Sequence, residues 1–317
     1  MSLSGFGQHR CRQRRAGARG GRFEREYRVE AGEQPSPHGL EGASSWLEMA
    51  DGQRLFIRDW PRPQARGAVL IVHGLGEHSG RYARLAHWFN QRGYAVRSYD
   101  QRGHGRSPGQ RGALRHGDDL LADLASVYAD HAGTLAQPPV LLGHSMGGLV
   151  ALRAVLDGAI VPSALVLSSP ALRSWAPPRL ITLARVLSRI APRLPLRNGL
   201  DPDKLSHEPQ VVADYRRDPL RHSWITPRLA HFIFSDGAAC IADGARLALP
   251  TLLLVADSDG LVDSAGSRAF ARVAAATGQL TTRYFATLYH ELFNEAEPGR
   301  SQVLMQLGDW LGRQLRD

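Results

Sequence analysis

Four short runs, AVLIV (68–72), VLL (140–142), ALVL (164–167) and TLLLVA (251–256), are apolar at nearly every position. A strand with one wet face alternates polar and apolar residues, so an unbroken apolar run needs cover on both faces. Suitable cover is present. RYARLAHWFNQRG (81–93) and the segments 116–132, 264–277 and 300–315 carry helical spacing, the first of them stopped at Gly93. SWLEMA, RLFIRDW, YAVRSYD and LTTRYFA read as further strands, with Gly52 near the turn joining the first two. Eight strands alternating with helices predict an α/β fold, a mostly parallel eight-stranded sheet with helices on both faces.

Residues 171–240 break this rhythm. Prolines 177, 178, 192, 195, 202, 209, 219 and 227 interrupt helical pieces, and no convincing strand is found there. The segment is expected to be a helical cap inserted over the sheet's carboxyl edge, where α/β folds place their sites. The predicted organisation is a basic, disordered tail over 1–40, a first core part over 41–170, the cap over 171–240, and a second core part over 241–317.

The net charge of +9 is concentrated at one end: residues 1–30 hold eight Arg and three Glu, a net of +5. A basic, glycine-rich tail of this kind predicts disorder rather than a nucleic-acid module, so no nucleic-acid partner is expected. Residues 1–22 carry no acid, which is compatible with a transit-type peptide, but no apolar stretch follows as a secretory signal requires. Two cysteines, Cys11 and Cys240, supply no disulfide framework and fit a reducing compartment. No run approaches 18 apolar residues, so the chain is expected in the cytoplasm, without a span.

Chemistry is signalled at VLLGHSMGGL (140–149), where an apolar strand ends in Gly-x-Ser-x-Gly and a helical pattern follows at once. A serine on such a turn is pushed out of the sheet, and its glycines admit close backbone approach. The pattern recurs at GRSPG (105–109), but Pro108 after Ser107 has no N–H to serve as an oxyanion donor, and no strand leads into it. Ser145 is therefore the expected nucleophile.

A serine hydroxyl needs a base, and the base needs an orienting acid. Folds with this turn carry them in the order Ser, acid, His. After His231 only His290 remains, just past the last strand, and it is the expected base. Asp257, Asp259 and Asp263 compete for the acid in the loop after TLLLVAD. Asp263 reads as a helix cap and Asp257 as a turn closer, which leaves Asp259 best placed. The oxyanion donors are expected to be the N–H groups of Met146 and of Leu75, in the loop HGLGEH (73–78). His73, Glu77 and His78 match neither His-Glu-x-x-His nor its inverse, so no metal is expected there. If His290 must be neutral, kcat/KM should rise with pH through an apparent pKa of roughly 6 to 7.

HGLGEHSGRYARLA, YDQRGHGRSPGQRG, LLGHSMGGLVAL and DSDGLVDSAG followed by YHELFNE resemble the monoacylglycerol lipase and lysophospholipase branch of the α/β-hydrolases. In the cap, LDPDKLSHEPQVVADYRRDPL is similar to bacterial members, and the resemblance covers roughly residues 42–315. It implies the α/β-hydrolase fold and hydrolysis of acylglycerol or lysophospholipid esters through an acyl-enzyme. It assigns Ser145, Asp259 and His290 as the triad, Leu75 and Met146 as oxyanion donors, and no cofactor. Fold relatives cleave many esters and amides. The rivals are an aminopeptidase, a small-ester esterase and a weakly catalytic ligand sensor. The aminopeptidase would need cap carboxylates among Asp201, Asp203, Glu208, Asp214 and Asp218 to hold an amine.

In the cap, Leu180, Leu183, Leu187, Ile190 and Leu194 recur at three- or four-residue steps, and Arg185, Arg189 and Arg193 recur on another side. The apolar stripe is expected to line an acyl-chain channel, with Leu183, Leu187 and Ile190 against the substrate. The arginines are expected to face a membrane surface or lipid head groups.

Overall fold

The computed structural model describes residues 41–314; the expected basic tail over 1–40, with its transit-type segment and Cys11, lies outside the described residues. The chain begins with β1 (Ala43–Glu48), β2 (Arg54–Trp60), β3 (Gly67–Val72), α1 (Ala83–Gln91), β4 (Tyr94–Tyr99) and α2 (Asp119–Ala132). It continues through β5 (Val140–His144), α3 (Met146–Leu156), β6 (Ala164–Ser168), α4 (Pro178–Ile190), β7 (Leu196–Arg197) and α5 (Pro209–Arg217). β8 (Trp224–Ile225), α6 (Pro227–Ala242), β9 (Thr251–Ala256), α7 (Ala265–Ala274), β10 (Leu280–Phe285) and α8 (Gly299–Gln314) follow.

The main sheet has eight strands in the order β1-β2-β4-β3-β5-β6-β9-β10. Only the β1–β2 and β2–β4 pairings are antiparallel. The apolar runs explain this arrangement. On β3, Val69 and Ile71 point to one face and Leu70 and Val72 to the other, and all four are fully buried. Leu85 and Phe89 of α1, with Val303, Leu307 and Trp310 of α8, cover the first face. Leu124 of α2, Leu149 of α3, Leu229 of α6 and Phe270 of α7 cover the second. Every strand that reads as continuously apolar is thus sandwiched between helices.

The cap segment departs from its sequence reading in two respects. β7 and β8 form a two-residue antiparallel ladder, pairing Leu196 with Ile225 and Arg197 with Trp224, where no strand was expected. Residue 240, the expected end of the insertion, lies inside α6, whose Leu229, Phe232 and Cys240 sit in the core with α3 and α7. We therefore propose that the insertion ends before α6 begins. Among the described residues, no helix is long and apolar enough to cross a membrane.

Candidate active site

The functional candidates gather at the carboxyl ends of β3, β5, β9 and β10. β5 ends at His144, and the chain reverses through Ser145 into α3. Ser145 has φ 54° and ψ −122°, a left-handed conformation that a residue with a Cβ adopts only when its surroundings enforce it. They do so through close packing. A Cβ on Gly147 would stand 2.2 Å from the Val72 carbonyl oxygen and 2.4 Å from that of His73. Glycine there lets the start of α3 lie against the end of β3, which fixes the turn. Met146 is the first residue of α3, so its N–H has no partner within the helix, and its side chain is in the core.

Ser145 shares a cleft with Leu75 and His290. Leu200, Leu205 and Leu261 give the cleft an apolar wall; Glu77, Arg81, Asp201 and Glu291 give it a polar one. His290 Nδ1 lies 2.6 Å from Asp259 Oδ2. With the proton on Nδ1, Nε2 is left as the basic atom. Asp259 Oδ1 accepts from Leu261 N–H at 2.8 Å and Val262 N–H at 2.9 Å, so its second oxygen is aimed at the imidazole. Burial disfavours charge on Asp259, but the His290 charge, their hydrogen bond and the two backbone donors outweigh it and hold its pKa below the usual carboxylate value.

The two competing aspartates are engaged elsewhere. Asp257 Oδ1 accepts from Arg268 at 2.6 Å. Asp263 accepts from Ala265 N–H at 3.0 Å near the start of α7 and pairs with Arg173 at 2.9 Å. The second Gly-x-Ser-x-Gly is a scaffold element. Ser107 Oγ donates to Asp100 O at 2.5 Å and accepts from Phe56 N–H at 2.9 Å.

The loop carrying Leu75 is held by Glu77, which sequence reasoning considered only as a metal ligand. Its Oε1 accepts from Gly74 N–H at 2.6 Å and from the Tyr82 hydroxyl at 2.8 Å. Gly74 N–H is thereby occupied, and the next amide along is that of Leu75. A Cβ on Gly74 would lie 2.9 Å from Glu77 Oε1 and 3.1 Å from Ser145 Cβ, so a larger residue would push on the Glu77 carboxylate and on the serine turn. Among the described residues, no group of three or more His, Cys, Asp or Glu is arranged to hold a metal.

Four further residues escaped the sequence reading. His144 packs its ring on His290, centroids 4.7 Å apart, and its Nδ1 donates to Ser168 O at 3.1 Å. Burial and the neighbouring His290 charge push its pKa down to about 4, so it stays neutral beside the base. Glu295 accepts from Tyr289 N–H at 2.8 Å and from His207 N–H at 2.6 Å, which ties the chain before His290 to the cap segment. Arg81 and Glu291 form a buried pair considered further below. Apart from the Tyr289–Glu295 bond, which spans six residues, these contacts join distant parts of the chain, so local patterns carry no signal for them.

The expected substrate contacts Leu183, Leu187 and Ile190 do not line the cleft. α4 turns Ala184, Leu187 and Ser188 inward and packs against α6. Leu183 and Ile190 face outward, 49% and 73% exposed, with Leu180 and Val186. Of the five cap carboxylates considered for an amine, only Asp201 lines the cleft. Asp218 pairs with His78 and Asp203 with Arg216, each at 2.7 Å.

Burial disfavours charge on His290, but Asp259, their hydrogen bond, Glu291 and Glu77 overcome it, so its pKa lies above the ordinary 6.5. With neutral His290 as the expected base, kcat/KM should rise with pH and reach half its plateau above 6.5, in the upper part of the expected window or beyond. A pH–rate profile measured with a soluble ester checks this, and a midpoint below 6.5 contradicts it.

The sequence pattern of the family described as serine aminopeptidase, S33, matches residues 63–297. A monoacylglycerol lipase of Mycolicibacterium smegmatis is 38% identical over 271 residues, covering 82% of this chain and 93% of that protein. A phospholipase of Bacillus subtilis is 30% identical over 242 residues, covering 75% of this chain and 93% of that protein. The crystal structure of a Paleococcus ferrophilus monoacylglycerol lipase superposes with a TM-score of 0.76 at 35% identity, covering 82% of this chain and 99% of that chain.

Proposed function

Because this chain belongs to the serine aminopeptidase S33 family of α/β-hydrolases, we propose that it hydrolyses acylglycerol or lysophospholipid esters through an acyl-enzyme on Ser145. It is a carboxylic ester hydrolase, and the relatives named above include a monoacylglycerol lipase and a phospholipase. One observation carries the reading. The left-handed Ser145 turn and the Asp259-oriented His290 open onto the same cleft, against an apolar wall of Leu200, Leu205 and Leu261.

In this mechanism Ser145 Oγ attacks the ester carbonyl while its proton passes to His290 Nε2. The carbonyl oxygen, now negative, is stabilised by the N–H groups of Leu75 and Met146. Collapse of the tetrahedral species breaks the bond to the alcohol, which takes the proton from His290. Water then enters, loses a proton to the same nitrogen, attacks the acyl carbonyl, and releases the fatty acid and Ser145.

A chain-length series of monoacylglycerols, measured below micelle formation, tests the substrate class. At about 0.8 kcal/mol per buried methylene, lengthening from four to ten carbons should raise kcat/KM by up to roughly 10³-fold. Leu200→Asp, on the apolar wall, should remove much of that gain. A flat or falling series would leave a small-ester hydrolase.

The outward face of α4 serves the same function as a contact with lipid surfaces. Leu180, Leu183, Val186 and Ile190 form an exposed apolar strip, with Arg179, Arg185, Arg189 and Arg193 beside it. The double change Leu183→Asp with Ile190→Asp should lower turnover of vesicle-borne monoacylglycerol by about tenfold or more, and that of a soluble butyrate ester by less than about twofold. Equal losses on both substrates would argue for a purely structural strip.

A further inference from the structure

We propose that Glu291 is a positioning residue that locks the loop carrying the base to the loop carrying the oxyanion donor, with Arg81 as the bridge. This inference rests on the roles given above to His290 and Leu75.

The connection is continuous and buried. Glu291 follows His290 in the chain and is 4% exposed. Its Oε1 and Oε2 accept from Arg81 Nη1 at 2.5 Å and Nη2 at 2.8 Å, a two-pronged pair that fixes orientation as well as distance. Arg81 Nη1 also donates to Glu77 Oε2 at 2.8 Å, and Glu77 Oε1 accepts from Gly74 N–H, immediately before Leu75. The cap closes over the bridge, because Tyr215 of α5 lays its ring 4.9 Å from the Arg81 guanidinium carbon. Three covalently distant stretches of chain, around 77–81, 215 and 291, meet at one guanidinium.

Stability alone is a poor explanation for this cluster. Burying charges costs desolvation free energy that their attraction often only offsets, and apolar residues of similar volume commonly do as well. What a two-pronged ion pair supplies is geometry. Here it fixes the separation between His290 and the Leu75 amide, two parts that must act on the same carbonyl. Misplacing such parts by about 1 Å can cost roughly 10²-fold in rate.

The cluster also has a charge consequence. Glu77 and Glu291 together carry one more negative charge than Arg81 neutralises. The groups facing His290 are Asp259 from the loop after β9, His144 at the end of β5, Glu77 from the oxyanion loop and Glu291 from its own loop. Removing the Glu291 charge should favour neutral imidazole at lower pH.

The test uses the full chain with Glu291→Gln, Glu291→Asp and Arg81→Lys. A long-chain fluorophosphonate counts competent sites, a soluble butyrate ester gives kcat and KM, and a pH profile gives the acidic limb. For Glu291→Gln we expect one labelled site per chain, kcat per labelled site lower by roughly 10- to 100-fold, and KM within about threefold. Its acidic limb should move to lower pH. Glu291→Asp, which keeps the charge but shortens the reach, should lower kcat and leave the limb in place. Arg81→Lys, which keeps the charge but loses the fork, should likewise lower kcat per labelled site. Unchanged kcat per labelled site in all three variants, or a Glu291→Gln limb that stays put, would overturn the proposal. Failure of the unsubstituted protein to label at Ser145 would instead overturn the underlying functional reading.

Discussion

Replacing Ser145 with alanine is expected to lower kcat by roughly 10⁴-fold or more, with KM for a soluble ester nearly unchanged. The proposed nucleophile is lost outright, while the Leu75 and Met146 amides, the cleft wall and the Asp259–His290 pair remain. What persists should be the modest rate that binding and oxyanion stabilisation give without covalent catalysis. The strained turn makes the change structurally benign, since alanine keeps the Cβ that the φ of 54° already accommodates. Ser107→Ala is the matched control and should behave in the opposite way. Its hydroxyl serves two main-chain groups at a site 1% exposed, so its loss leaves the Phe56 N–H without its acceptor. The expected cost is about 1–3 kcal/mol of stability, with kcat per folded molecule intact. Steady-state kinetics and thermal unfolding of the two variants separate these outcomes.

The second large effect is expected at Asp259. Asp259→Asn removes the charge that stabilises imidazolium, and its amide can donate to Nδ1, which would place the imidazole proton on Nε2, the atom that must receive the serine's proton. A loss of about 10⁴-fold in kcat is expected. Asp257→Asn and Asp263→Asn should each stay within roughly threefold of the parent, because both carboxylates end in arginine pairs away from His290. Kinetics at saturating butyrate ester rank the three. If Asp257→Asn were the most damaging, the acid would be misassigned.

Much of this site is legible in sequence because its requirements are local. A buried parallel strand must be apolar at every position, and a serine turn packed against a neighbouring strand must have glycine two residues on, where a Cβ would meet the Val72 carbonyl. Chain order then leaves His290 as the base. What sequence leaves open depends on contacts that local pattern does not encode. Glu291 meets Arg81 across 210 residues. The β7–β8 ladder is two residues long and exists only because the cap brings those ends together. For α4, helical periodicity reveals an apolar stripe but not the partner it faces. α4 packs against α6 with Leu187 half-buried, while Leu180, Leu183, Ile190 and Leu194 of the stripe are exposed. Asp263 is a similar case: its bond to Ala265 N–H is predictable from position, whereas its pairing with Arg173 is not.

In acyl-enzyme hydrolysis the decisive question is which atom the acyl group visits. Treating the full chain with a fluorophosphonate analogue of a monoacylglycerol, followed by peptide mass spectrometry and assay of residual hydrolysis, measures this in one experiment. One adduct per chain is predicted, on Ser145, with monoacylglycerol hydrolysis falling in proportion to labelling. An adduct on another residue, or complete labelling of Ser145 that leaves monoacylglycerol hydrolysis intact, would contradict it.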